Sequence, residues 1–179
     1  MIYIFLAEGF EEIEALTPLD LLRRAGLPVT TVGVGQKVVT GSHGISVTAD
    51  ILDADFSDDT PEMVILPGGM PGTLNLDASP VVHAAISSAL ASNAYLAAIC
   101  AAPSILGKRG LLSGKRAVCF PGFEDTLSGA LLSAKKVEVS GRIITAKGMG
   151  AAMDFGLALV AVFKGSDAAE ALRHAVIAD

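Results

Sequence analysis

The tightest constraint on the fold is a set of apolar runs too short to be helices and too continuous to be half-exposed strands. Ile2 to Ala7, Met63 to Leu66 and Ala94 to Ile99 are apolar almost without interruption. A strand with one wet face alternates, whereas a continuous run suits a strand covered on both faces, as in a parallel sheet. Between the runs lie segments with helical spacing. Glu11 to Ala25 carries Ala15, Leu16, Leu19 and Leu22 on one stripe and stops at Gly26. Pro18, inside it, predicts a kink or an interruption. Val81 to Leu90, Gly150 to Phe163 (stopped by Gly165) and Ala168 to Ile177 read as further helices. Such alternation predicts an open, mostly parallel sheet with helices on both faces.

The remaining segments fill in around that frame. Val29 to Val34 reads as the second strand. Val38 to Thr40 and Ile45 to Thr48 form a hairpin across Gly41-Ser42-His43-Gly44, and Lys136 to Val139 pairs with Ile143 to Ala146 around Ser140-Gly141. Asp53 to Asp59 is a surface connection, Pro67 to Gly72 a rigid loop, and Asp77-Ala78-Ser79-Pro80 the start signal of the next helix. Arg116 to Phe120 is expected as a strand and Gly122 to Ser128 as a short helix.

At 179 residues the default is a single α/β domain over residues 1–179. Hydrophobic residues make up 51% and charged ones 18%, a composition that favours burial of surface against another copy, most simply in a homodimer. The net charge of −6, without a basic cluster, argues against nucleic acid and anionic membranes as partners. Phe155 to Phe163, the longest apolar run, is about half of the ~20 residues that a membrane-spanning helix needs. The first residues reach Glu8 with no basic stretch, so they read as a strand and not as a signal peptide. Cys100 and Cys119 make no disulfide framework and suit a reducing, cytoplasmic setting.

The chemistry concentrates at Ala98-Ile99-Cys100-Ala101-Ala102-Pro103, where a strand runs into a cysteine and Pro103 opens a helix. Such an elbow lifts a nucleophile above the end of a sheet, and a helix N-terminus beneath it favours thiolate. A buried cysteine packed as a small hydrophobe is the plainer alternative. Loops after the first, third and fourth core strands carry Glu8 to Glu14, Pro67 to Gly72 and Cys100, and should gather at one end of the sheet. Gly68-Gly69 could present backbone N–H groups to an oxyanion, or could simply turn the chain. Glu11, Glu12 and Glu14 suit a helix N-terminus, and one of them could meet Cys100 as a buried, protonated donor. His83 and His174 read as surface residues, and His43 as the tip of a hairpin. The His and Cys residues lack metal-ligand spacing, so no metal or cofactor is expected. Gly148-Met149-Gly150 has only part of a dinucleotide fingerprint and is not read as a nucleotide site.

Taken together, Gly9-Phe10-Glu11-Glu12-Ile13-Glu14, Leu66-Pro67-Gly68-Gly69, the Cys100 elbow, and Thr145-Ala146-Lys147-Gly148-Met149-Gly150 leading into Asp154-Phe155-Gly156 resemble the ThiJ/PfpI superfamily, in its DJ-1/YajL-like branch. The resemblance runs nearly end to end. It implies a flavodoxin-like three-layer sandwich, a homodimer, and Cys100 as the elbow nucleophile. It singles out Glu14 as the protonated glutamate beside the thiolate, and Gly69 and Ala101, with Gly68 alongside, as the oxyanion backbone. His43, Phe120, Pro121, Met149 and Gly150 would line the site.

The activities it implies are glutathione-independent glyoxalase action on methylglyoxal and deglycation of early adducts. The alternative is a redox sensor or chaperone whose cysteine oxidises without turnover, with the glutamate stabilising a sulfinate. A cysteine peptidase is weaker, because Ala101 stands where the peptidase branch has histidine. Phe120 replaces a histidine of some relatives, Met149 a proline, and His43 an arginine. Cys119 reads as a resolving thiol or, more simply, a core cysteine.

Overall fold

The structure, a computed structural model, describes residues 1–57 and 60–178. In chain order the strands are Ile2–Leu6 (β1), Val29–Gly33 (β2), Val38–Thr40 (β3), Ser46–Thr48 (β4), Ile51–Leu52 (β5), Met63–Leu66 (β6), Tyr95–Ile99 (β7), Arg116–Ala117 (β8), Leu131–Leu132 (β9), Val137–Ser140 (β10) and Ile143–Ala146 (β11). The helices are Glu12–Arg24 (α1), Gly72–Ala78 (α2), Pro80–Ala91 (α3), Pro103–Lys108 (α4), Ala152–Lys164 (α5) and Ser166–Ala175 (α6). Seven strands form the main sheet in the order β10-β11-β7-β6-β1-β2-β5. Every neighbouring pair is parallel except the β10–β11 hairpin.

Period-two alternation sorts the central strands between two cores. Ile2, Ile4 and Leu6, Met63 and Ile65, Ala97 and Ile99 pack with Leu21 and Leu22 of α1 and Phe155 and Leu159 of α5. Phe5, Val64, Leu66, Leu96 and Ala98 point the other way, against Val82 and Ile86 of α3 and Ile105 and Leu106 of α4. This is the flavodoxin-like three-layer α/β sandwich, and it explains why these strands read as continuous apolar runs.

Four local expectations need correction. Helix α1 runs through Pro18, with no break at the buried ring. A Cβ on Gly156 would lie 3.0 Å from the Pro18 Cα, so α5 packs closely against α1 at this point. The loop after β6 ends early: Gly72 to Ala78 is helical, and of the start signal only Ser79 and Pro80 belong to α3, with the Ser79 hydroxyl accepting from the Val82 N–H. The segment from Arg116 keeps strand pairing only to Ala117, and its partner is β9, outside the main sheet. Beyond it, Val118 N–H donates to the Thr145 hydroxyl at 3.0 Å and Phe120 N–H to the Cys100 carbonyl at 2.8 Å, so these amides bond outside a strand ladder. Gly122 to Ser128 contains a single 3-10 turn, Glu124–Thr126. Within the acidic connection Asp53–Asp55 is also a 3-10 turn, while residues 58 and 59 lie outside the described residues.

Candidate active site

Cys100 sits directly beyond β7 with φ +65, a left-handed conformation unusual for a residue with a side chain. Both of its backbone groups are tied: the N–H donates to the Ala146 carbonyl at 2.9 Å, and the carbonyl accepts from Phe120 N–H at 2.8 Å. Such strain persists only where the surroundings over-determine it. Ala101 and Ala102 make the turn, and α4 begins at Pro103. The sulfur accepts from the N–H groups of Gly69 and Ala101.

Glu14 reaches the same point from the first turn of α1 and is 1% exposed. Its Oε2 accepts from Gly68 N–H at 3.0 Å, Met149 N–H also donates to the carboxyl, and the carboxyl hydrogen-bonds the Cys100 side chain. Glu11 fixes this turn, its carboxylate accepting from Glu14 N–H at 2.7 Å as an N-cap. Gly68 is required by close approach: a Cβ there would lie 2.5 Å from the Cys100 Cβ and 2.6 Å from Glu14 Oε2. Gly69 has φ +90 and packs against the Phe10–Glu11 backbone. The loops after β1, β6 and β7 therefore meet at one end of the sheet, beside the crevice where β1 separates β2 from β6.

Burial pushes the Glu14 carboxyl up to about 7; the bond from Cys100 opposes this, the negative charge of Glu11 adds to it, and the two backbone donors oppose it. Burial pushes the Cys100 thiol up, to about 12, joined by the charge and hydrogen bond of an ionised Glu14 and opposed by the Gly69 and Ala101 amides. The direction is opposite to that expected from a helix N-terminus alone, because desolvation and a facing carboxylate outweigh two donors. The two groups titrate as a pair, which holds two protons below about 7 and one above it. The one-proton pair carries a single negative charge, and transfer of the proton from sulfur to Glu14 gives a thiolate that the Glu14 O–H and the Gly69 and Ala101 amides can support.

His43 is not among the partners of the sulfur. Its N–H donates to Glu12 Oε1 at 2.8 Å, and its ring Nδ1 lies 2.9 Å from Glu12 Oε2, with the side chain 70% exposed. Glu12 is therefore a buried tie to the β3–β4 hairpin, a role that its place at a helix N-terminus did not reveal. Phe120 touches the site through its amide, and its ring lies against Gly148. Met149 contributes its N–H to Glu14, a donor that no side-chain pattern announced, while its own side chain, Pro121 and Gly150 are exposed. Cys119 lies in the opposite core, against α3 and α4. Burial pushes its thiol up to about 11, helped by the charge of Glu124 and opposed by Phe123 N–H.

His83 is half-buried and its Nε2 lies 2.7 Å from the Asp77 carbonyl, whereas the His174 side chain is 64% exposed. Among the described residues one grouping has metal-ligand proximity, Glu11, Glu12 and His43, whose ligand atoms fall within 4.8 Å of one another. Both carboxylates there are already taken by backbone and ring donors.

A strained cysteine at a strand–helix elbow, facing a buried glutamate and two backbone donors, defines a class of cysteine-elbow α/β proteins. Residues 1–162 match the DJ-1/PfpI family, and the chain belongs to it. It is 36% identical over 171 residues to Protein DJ-1 homolog B of Arabidopsis thaliana, covering 94% of this chain and 39% of that one. The chain thus spans less than half the length of the Arabidopsis relatives. It is 31% identical over 167 residues to the Caenorhabditis elegans protein named glutathione-independent glyoxalase DJR-1.2, covering 92% and 89% of the two chains. The fold superposes on oxidized Toxoplasma gondii DJ-1 with a TM-score of 0.94 at 32% identity, over 98% of this chain and 97% of the other. These likenesses place the chain in the DJ-1/ThiJ branch. No described helix is long and apolar enough to cross a membrane.

Proposed function

We propose that this protein is a cysteine-dependent, glutathione-independent glyoxalase that also acts as a deglycase on early glycation adducts. The observation that carries the reading is the Glu14–Cys100 contact, with a carboxyl held at about 7, beside the amides of Gly69 and Ala101. An acid–base group works best with its pKa near the operating pH. The Cys100 thiolate adds to the aldehyde carbon of methylglyoxal, and Glu14 gives its proton to the oxygen, forming a hemithioacetal. The Gly69 and Ala101 amides hold that oxygen while charge is on it. The Glu14 carboxylate then takes the former aldehyde hydrogen as a proton and returns it to the neighbouring carbon, while the hydroxyl proton passes from the first oxygen to the second through the enediol. The result is a thioester of lactate on Cys100, which water hydrolyses. One carbon is oxidised as its neighbour is reduced, so no external oxidant enters. A small dicarbonyl or a glycated group as substrate, a homodimer and a cytoplasmic setting belong to the same proposal. The resemblance to a relative named as a glyoxalase supports it.

The competing reading is a redox sensor in which Cys100 is oxidised and Glu14 hydrogen-bonds the product; the oxidized state of the Toxoplasma relative favours it. A peptidase is disfavoured because Ala101 and Phe120, not histidines, stand beside the thiol. The deciding experiment follows lactate formed from methylglyoxal without glutathione, for the wild type and Cys100→Ser at equal, verified fold. Turnover that the serine variant loses upholds the glyoxalase. Equal rates in both transfer Cys100 to the sensor reading, for which peroxide titration with mass spectrometry of Cys100 is the measure.

A further inference from the structure

An apolar groove lies beside the Glu14 carboxyl, across Gly148, and is larger than a three-carbon dicarbonyl needs. Phe120, Pro121, Met149 and Gly150 line a cavity of ≈ 400 Å³, and Lys136 and Lys147 stand at its wall. Gly148 lines the groove and borders the site: a Cβ there would lie 3.2 Å from the Phe120 ring and 3.7 Å from Glu14 Oε1. Pockets of about 300–1,000 Å³ suit ligands far larger than a three-carbon dicarbonyl. The charge at the wall runs against the chain, which has 19 acidic and 13 basic residues. Lys147 is half-buried; its ammonium donates to the Ala134 carbonyl at 2.9 Å and, among the described residues, forms no ion pair. Lys136 is 70% exposed and lies 3.6 Å from Asp154, which Arg173 also neutralises at 2.9 Å.

We infer that this groove is a substrate subsite for α-oxoaldehydes or α-oxoacyl adducts whose apolar body ends in an anionic group, recognised by Lys147 with Lys136 in support. The inference rests on the reading of Cys100 and Glu14 given above. The apolar wall holds the body of the substrate and the lysines hold its end, so the aldehyde is delivered to the sulfur in a fixed orientation. A charge-assisted bond to Lys147 is worth more here than on open surface because one side of the groove is apolar.

Two measurements test the subsite separately from the activity. The first compares kcat/KM for phenylglyoxal and 4-carboxyphenylglyoxal in the wild type and Lys147→Gln. The wild type is expected to favour the carboxylated compound about tenfold, and the variant to lose at least fivefold more on that compound than on the neutral one. The second uses the unreactive ketones acetophenone and 4-carboxyacetophenone to protect Cys100 from alkylation by iodoacetamide. The carboxylated ketone should protect better, and Lys147→Gln should erase the difference while Lys147→Arg keeps it. Protection of this kind without turnover of either oxoaldehyde would overturn the glyoxalase and uphold the subsite. Equal protection by the two ketones in the wild type overturns the subsite whatever the turnover.

Discussion

Glu12 and Glu14 stand two residues apart in one helical turn, are both buried, and behave in opposite ways. Burial pushes the Glu12 carboxyl up, yet the His43 ring and the amides of its own residue, His43 and Ile45 outweigh it, and the net shift is down. Glu14 also starts from burial, but it faces a thiol, a neighbouring carboxylate and only two amides, and the net shift is up to about 7. Each carboxyl is backed by a glycine: a Cβ on Gly41 would overlap Glu12, and one on Gly68 would overlap Glu14. The difference is a supply of donors. A buried carboxylate given enough N–H groups becomes a fixed structural anion, and one given fewer keeps a proton that it can exchange.

Replacing each by glutamine breaks the comparison where its effect is largest. Glu14→Gln should lower lactate formation by about 10²–10⁴-fold, the range for loss of a positioned acid–base group. Glu12→Gln should leave turnover within about tenfold, because Glu12 acts through the hairpin. Equal losses in the two variants would show that site geometry, and not proton exchange, is what Glu14 supplies.

The second contrast lies in stability against pH. Glu14 takes up its proton at 4.5 when unfolded and at about 7 when folded. Its contribution is therefore complete below pH 4.5 and is lost as pH rises through about 7. At about 1.4 kcal/mol per pKa unit the loss is about 3 kcal/mol. Urea unfolding at pH 5 and pH 8 should show wild type losing most of that relative to Glu14→Gln. Glu12 has the opposite sign, its contribution being present above pH 4.5 and lost as pH falls through its lowered folded value. Parallel pH dependence in wild type and Glu14→Gln would remove the raised carboxyl from the account.

How much of this could be read from the sequence follows from what each residue's role depends on. Apolar runs such as Ile2 to Ala7 and Met63 to Leu66 report burial on both faces, so the parallel sheet and its two helical layers were legible. The elbow was legible because Pro103 marks a helix start immediately after an apolar strand. Helix α2 was hidden, since Pro71-Gly72 and the absence of a capping side chain make its start look like loop. The strand expected from Arg116 to Phe120 failed because its later amides bond to Thr145 and Cys100, partners far off in sequence. The same reason hid Glu12, whose donors outside its own residue sit more than thirty residues away on the β3–β4 hairpin. The Met149 amide carries no side-chain signal at all. Identity of side chain tells which groups can react, whereas the number of backbone donors that converge on them is a property of the folded chain.

Smaller substitutions sharpen the contrast between the carboxyls. Alanine at Gly68 places a methyl between Cys100 and Glu14, so turnover should fall steeply while the sheet, monitored by circular dichroism, stays intact. Alanine at Gly41 meets Glu12 first and should appear as a stability cost of about 1–3 kcal/mol, the range for overpacking a filled site, with smaller change in turnover. The gentlest probe is His43→Ala. The His43 pKa is raised by its hydrogen bond to Glu12 and by the nearby carboxylate charges, so the ring's contribution is complete below pH 6.5 and is lost as pH rises through the folded value. Wild type and His43→Ala should then differ in urea midpoint at pH 5.5 and converge at pH 9, a pattern unlike that of Glu14→Gln, which separates further from wild type as pH rises to 8. A His43→Ala difference that persisted unchanged at pH 9 would mean that the ring holds the hairpin by packing and not by its charge.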